Sequence, residues 1–330
     1  MQQDQPWDAI IIGGGVAGLS AAIYLARAKR RTLVIDNGKS LAKWAKDVEN
    51  YLGFPNGIAG EDLLARGGKQ ARHYGAEFVD DSIAELRHAP SDVFHALGQH
   101  KVYEARRVLL ATGIYHLPPD IPGAHECLGC SMFFCKDCDG SRCEGRRIGI
   151  LGWNNEAVEY ALGMLLYSPC VFIFQNGHDS QWSAQHAEWL REYEIPVYPQ
   201  KVLDVHHKHG EVQWLELESG VRVELEALFT TRGDIYHNKL AQQLGASTQD
   251  SEVLVNETME TTVRGLYAAG CVTPANCQMI IAAGEGAKAG QAINRSLFEE
   301  SLQTHSLHRF RSKQIEHCET KPPVEAVATS

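Results

Sequence analysis

The 330-residue chain has no excess of positive charge: 31 Lys and Arg stand against 41 Asp and Glu, a net charge of −10. Gripping a phosphate backbone takes a surplus of cations, so nucleic acid is excluded as an expected partner. No run approaches the ~18 consecutive apolar residues of a transmembrane segment. The first apolar stretch follows acidic and polar residues, unlike a signal peptide, and a cytoplasmic chain is expected. Low-complexity tracts are also missing. Cysteine is not scarce, but nine is an odd number, and without an export signal a complete disulfide framework is not expected. Reduced, catalytic or metal-bound cysteines remain as options.

The length predicts two domains, each able to bury its own core. The segment DAIIIGGGVAGLSAAIYLARAKRRTLVID reads as an apolar strand (Ala9 to Ile12), a turn containing Gly13, Gly15 and Gly18, an Ala-rich helix, a second strand (Thr32 to Ile35), and then Asp36. These glycines let the backbone turn tightly toward a pyrophosphate at a helix N-terminus, and the acid accepts ribose hydroxyls. Strand, glycines, helix and acid together predict a dinucleotide site. RRVLLATGIYHLPPDIPG adds a buried strand ending at Thr112 and Gly113, followed by a Pro-rich hinge. GLYAAGCVTPANCQMIIAAGEGAKAGQAINRSL adds a short strand, a tight turn at Gly270 and a helix of small residues. Small residues at helical spacing ordinarily mean close helix approach rather than ligand contact.

With VENYLGFPNGIAGEDL (Val48 to Leu63) and CKDCDG (Cys135 to Gly140), these segments make the chain similar to the low-molecular-weight thioredoxin reductase family of flavoproteins, across nearly its whole length. The resemblance implies an α/β protein of two Rossmann-like, three-layer domains that assembles as a homodimer. An FAD domain is expected over 1–116 and 245–330, and a middle unit over 117–244. It places FAD at Gly13, Gly15, Gly18, Asp36, Asn50, Thr112, Gly113 and Gln278, with Gly270 and Cys271 beside them. Cys271 stands where the family has an aspartate and Cys277 where it has an arginine, so a charge pair is lost. Trp44 is expected to pack rather than contact flavin.

Cys135 and Cys138 have the spacing of a small reducible disulfide. A competing reading joins Cys127, Cys130, Cys135 and Cys138 as a metal set, but zinc ribbons have a longer loop between pairs and iron–sulfur runs a different spacing. No metal is expected. The resemblance implies that Cys138 faces the flavin, Cys135 meets a dithiol or disulfide partner, and Asp139 moves the proton. Cys127, Cys130 and Cys143 are expected to be packing residues, with a second disulfide among them as an alternative.

The stretch RRIGILGWNNEAVEYALGMLLYSPCVFIFQNG repeats the strand, turn, helix and strand layout, without its glycines. Gly152 is followed by Trp153, Asn154 and Asn155, and Glu156 brings negative charge to the helix start. After the next strand come Gln175, Asn176 and Gly177, where the family has a His-Arg-Arg run for the NADPH 2′-phosphate. NADPH is therefore not expected. Three readings stay open: an empty site, ferredoxin as electron partner, or a larger aromatic ligand held by Trp153, Asn154, Asn155, Gln175, Asn176 and Arg232. The last is similar to the diflavin-linked disulfide oxidoreductases of oxygenic photosynthetic prokaryotes, which implies a second FAD and electron flow from dithiol to flavin. Tyr236 is a further candidate for that second pocket. A non-catalytic thiol redox sensor is the reading of a different class.

His206, His207 and His209 lie beside a glycine turn and are read as a solvated hairpin tip. The polar tail after His305 carries His308, Phe310 and Cys318, and is read either as disordered or as a cover over a flavin face.

Overall fold

The computed structural model describes residues 5–231 and 233–307. Arg232 and the tail residues His308, Phe310 and Cys318 lie outside the described residues. The chain opens with β1 (Trp7–Ile12), α1 (Val16–Arg27), β2 (Thr32–Asp36), α2 (Gly60–His73) and β3 (Glu77–Asp80), then β4 (Ile83–His88), β5 (Phe94–Gly98) and β6 (Val102–Leu110). Next come β7 (Ile114–His116), β8 (Met132–Phe133), α3 (Lys136–Asp139), β9 (Ile148–Leu151), α4 (Asn155–Met164), β10 (Val171–Phe174), α5 (Ala184–Glu192) and β11 (Val197–Tyr198). The strands β12 (Val202–Lys208), β13 (Glu211–Leu217), β14 (Arg222–Glu224) and β15 (Ala227–Thr230) follow. Last are β16 (Asp234–Tyr236), α6 (Lys239–Gln243), β17 (Thr248–Gln249), β18 (Glu252–Val253), β19 (Leu266–Ala268) and α7 (Met279–Gln303).

The first sheet runs β3-β2-β1-β6-β5-β4, with β19 also paired to β6. Its β3, β2, β1, β6 and β19 are parallel, and β4 and β5 add an antiparallel edge. β1 is central and covered on both sides, which is why it reads as an unbroken apolar run. Ala9 and Ile11 pack into one core with Val34, Leu109 and the helices α1 and α7. Ile10 and Ile12 pack into the opposite core with Leu33, Ile35 and Leu110. Small residues let α1 and α7 cross closely: a Cβ on Gly286 would run into the Ala17 carbonyl, and one on Gly290 would lie 3.0 Å from the Ala21 carbonyl.

A second, all-parallel sheet runs β11-β10-β9-β15-β8, and β12-β13-β14 form an antiparallel sheet beside it. The chain leaves the first unit through β7 and returns through β16, and these strands pair antiparallel with His116 opposite Asp234. Leu240 and Ala241 of α6 already pack in the first sheet's core, ahead of the boundary expected at 245. The architecture is the α/β pair of Rossmann-like sheets predicted from the two repeated layouts.

His206 and His207 lie in the last part of β12 and only His209 in the turn to β13; His206 Nε2 meets Glu216 Oε2 at 2.8 Å and its ring stacks on Trp214. Among the described residues no cluster of His, Cys, Asp or Glu is arranged as a metal cage, and no helix is long and apolar enough to cross a membrane.

Candidate active site

A cavity of about 730 Å³ opens at the C-terminal ends of β1, β2 and β6, where an open parallel sheet places its ligands. Gly13 turns there with φ of 110°, and a side chain on it would collide with the Ala111 carbonyl. Gly15 is the N-cap of α1, with no capping side chain and no acidic residue in the first turn. The N-terminal N–H groups of α1 are thus left open beside Gly13 and Gly15. Asp36, at the end of β2, accepts the Gly14 N–H at 2.9 Å and lines the same cavity. Thr112, Gly113, Gly270, Asn50 and Gln278 also line it. Gly18 differs: it does not line the cavity, and a Cβ on it would strike the Gly13 carbonyl, so its part is to seat α1 against the turn.

At the opposite wall Cys135 and Cys138 form a disulfide, with Cα atoms 5.3 Å apart. Cys135 is the N-cap of α3, and its sulfur accepts the Cys138 N–H at 3.1 Å. The Gln278 amide nitrogen donates toward Cys138 Sγ at 3.2 Å, while its oxygen accepts the Asn50 side-chain N–H at 3.0 Å. The Tyr160 hydroxyl, pushed up to about 12 chiefly by burial, donates to the Phe134 carbonyl at 2.9 Å and fixes the residue before Cys135. Asp139 also lines the cavity, 3.0 Å from the Arg142 guanidinium. Burial raises its carboxyl above the ordinary carboxylate range, outweighing Arg142.

Three expectations change here. Cys271 and Cys277 are joined in a second disulfide that lines the cavity, a covalent link at positions read as a lost charge pair. Cys127, Cys130 and Cys143 are free, so the second disulfide is not among them. Trp44 does pack, edge-on against Tyr115 at 5.3 Å and near Phe134 at 5.9 Å, and it also lines the cavity. Tyr236, expected at a second pocket, lines this first one and reaches Glu252.

The glycine-poor turn sits at the end of β9. Its polar side chains, read as free hydrogen-bonding edges, are mostly engaged within the chain. Asn154 caps α4 by accepting the Ala157 N–H at 3.1 Å, and Asn155 accepts the Ser183 N–H at 2.8 Å. Gln175 donates to Ser180 at 2.7 Å, and Asn176 accepts the Val202 N–H at 2.9 Å. Desolvation and the carboxylates of Asp234 and Glu159 raise the Glu156 carboxyl; on so exposed a side chain the like charges are the firmer cause. Gly152 packs on Thr231, and the Thr230 and Thr231 hydroxyls are buried without a hydrogen-bond partner among the described residues. Trp153 stacks on His178 with ring centroids 3.7 Å apart. His178 was not singled out from sequence, because only the fold of the 177–183 loop brings it under the indole.

The family model described as pyridine nucleotide-disulphide oxidoreductase matches residues 7–287. Thioredoxin reductase of Bacillus subtilis (strain 168) is 30% identical over 92% of this chain and 99% of its own. Among solved structures, a putative thioredoxin reductase from Bacillus anthracis superposes with a TM-score of 0.82 at 26% identity, covering 89% of this chain and 99% of that one. The atypical thioredoxin reductase TRi from Desulfovibrio vulgaris Hildenborough is 32% identical over 90% of this chain and 99% of its own, with a TM-score of 0.51.

Proposed function

Because the chain belongs to the pyridine nucleotide-disulphide oxidoreductase family and is thioredoxin reductase-like, we propose that it is a flavoenzyme that passes two electrons between the Cys135/Cys138 pair and FAD. One observation carries this reading: the open α1 N-terminus and the Cys135–Cys138 disulfide face the same cavity. The residues present fit FAD. Gly13, Gly15 and the α1 N-terminus suit its pyrophosphate, and Asp36 suits a ribose. Thr112, Gly113 and Gln278 are the candidates to hold its flavin end. When bound, FAD supplies a two-electron acceptor and donor beside the disulfide.

The proposed direction is from a dithiol, of a protein or a small molecule, to flavin. A substrate thiolate attacks Cys135 Sγ, the Cys135–Cys138 bond breaks, and Cys138 leaves as a thiolate that receives the Gln278 N–H. The second substrate thiol then attacks the substrate sulfur of the mixed disulfide, and its proton passes through Asp139 to Cys135. The substrate leaves as a disulfide, and Cys135 and Cys138 are left reduced.

The second unit does not fit the phosphates of a pyridine nucleotide. The α4 N-terminus is already capped by Asn154 and carries Glu156, whereas α1 has neither. No Lys or Arg stands at 175–177. We assign a second FAD to this unit, held by ring stacking rather than by a phosphate cradle. The half-buried Trp153, stacked on His178, offers the aromatic face, and the Thr230 and Thr231 hydroxyls, without a partner among the described residues, offer polar contacts at the same sheet end.

Flavin released per chain on denaturation tests the assignment. Two FAD in the wild type and one in Trp153→Ala are expected; one in both, after reconstitution with free FAD, overturns the second flavin. Anaerobic dithiothreitol should bleach the flavin absorbance of the wild type but not of Cys138→Ser. A wild type that stays oxidised overturns the dithiol-to-flavin reading, and bleaching by NADPH restores a pyridine nucleotide.

A further inference from the structure

The turn between β19 and α7 is tied at both ends. On one side Glu285 of α7 accepts the Gly270 N–H at 2.7 Å and the Thr273 hydroxyl at 3.0 Å. On the other, the Cys271–Cys277 disulfide holds the two Cα atoms 4.9 Å apart. Cys277 is exposed and Cys271 half-buried, so Cys277 is the more open of the two to a thiol from solvent. The residue after Cys277 is Gln278, whose amide lies on Cys138 and whose oxygen is held by Asn50. The second disulfide is therefore one peptide bond away from the residue whose side chain touches the first. The paired cysteines Cys135, Cys138, Cys271 and Cys277 all line the cavity, whereas none of the free cysteines Cys127, Cys130, Cys143 and Cys170 does.

We propose that Cys271–Cys277 is a second exchangeable disulfide and that its redox state controls how reactive Cys138 is. A thiolate of a dithiol attacks Cys277 Sγ, the Cys271–Cys277 bond breaks, and Cys271 leaves as a thiolate that takes a proton from solvent. The second thiol of the same molecule then attacks the mixed disulfide and releases Cys277. The dithiol is oxidised to a disulfide, and Cys271 and Cys277 gain the two electrons as two thiols. With the pair closed, the Gln278 N–H stays on Cys138 and favours its thiolate. With the pair open, the tie next to Gln278 is lost and the Cys138 thiol is harder to ionise. Only the substrate class rests on the proposed function, and the test below uses dithiothreitol, which does not depend on it.

The test equilibrates the oxidised holoenzyme in buffers of graded reduced-to-oxidised dithiothreitol ratio, traps thiols with iodoacetamide, and quantifies the peptides carrying each pair by mass spectrometry. Both pairs are expected to titrate reversibly in the folded protein. In a Cys135→Ser/Cys138→Ser enzyme, which has no turnover, the Cys271–Cys277 pair should titrate unchanged. The exchange is overturned if Cys271 and Cys277 are alkylated in the fully oxidised enzyme, or if they stay unalkylated at ratios that fully reduce Cys135 and Cys138. For the control of Cys138, Cys271→Ser/Cys277→Ser should slow alkylation of reduced Cys138 at neutral pH by about tenfold, the scale of one hydrogen bond to a charged group. Gln278→Ala should slow it equally. An unchanged rate in the Cys271→Ser/Cys277→Ser enzyme overturns the coupling. If that variant does not fold, the wild-type titration reads the same point, because Cys138 alkylation must slow across the ratios that open the second pair.

Discussion

The amide nitrogen of Gln278 lies 3.2 Å from Cys138 Sγ, joining two parts of the chain 140 residues apart. Gln278 stands at the N-cap position of α7 in the first unit without capping it through its side chain, and Cys138 sits on α3 in the middle segment. A single side chain thus brings the C-terminal helix to the redox pair.

Gln278→Glu should weaken the Cys138 thiolate more than Gln278→Ala, because a carboxylate adds like charge where the amide gave a donor. Asn50→Ala should have a smaller effect in the same direction, since it only frees the Gln278 oxygen. The pH dependence of Cys138 alkylation in the reduced enzyme measures this, and the midpoint should rise in the order wild type, Asn50→Ala, Gln278→Ala, Gln278→Glu.

Asp139 must be ionised to take a substrate proton, and burial raises its carboxyl above the ordinary range. The rate of dithiol oxidation should therefore rise with pH through an ionisation above that of a free aspartate. Asp139→Asn should remove this limb and slow turnover by about 100-fold, the low end for a lost acid–base group. The sign for stability is opposite. A carboxyl raised by folding contributes stability at low pH that is lost as pH rises through its folded value. Thermal melts should show that loss in the wild type and not in the variant.

Gly18→Ala places a methyl against the Gly13 carbonyl. A destabilisation of about 1–3 kcal/mol is expected from overpacking at so tight a contact. Flavin retention should fall with it, because the same turn shapes the cavity. Melting temperature and bound flavin should drop together, and excess FAD should restore part of both.

Native alkylation at pH 8 should label Cys170, which is exposed, and leave Cys127 and Cys143 untouched until denaturant is added. Burial pushes both of those thiols up to about 11, so they are neutral as well as inaccessible. Peptide mapping before and after unfolding gives the comparison.

Much of the site was legible because local rules govern it. Gly13 and Gly15 follow an apolar strand and open a helix, and their backbone requirements are written within a few residues. Cys135 and Cys138 are close enough in sequence for spacing alone to pair them. Cys271 and Cys277 escaped that reading, since five residues separate them and the fold of the turn between β19 and α7 brings them together. The polar residues Asn154, Asn155, Gln175 and Asn176 were visible as hydrogen-bonding groups, but which partner each takes depends on loops that fold back from elsewhere.

The sequence by itself determined that two Rossmann-like layouts alternate with a redox-competent cysteine pair, because strand burial, helix starts and glycine turns are short-range properties. Tertiary structure alone decided that Gln278 meets Cys138, that Cys277 bonds Cys271, and that Trp153 stacks on His178. Each of those contacts joins residues whose positions depend on how sheets, helices and loops pack. No local pattern of residue types encodes the distance between them.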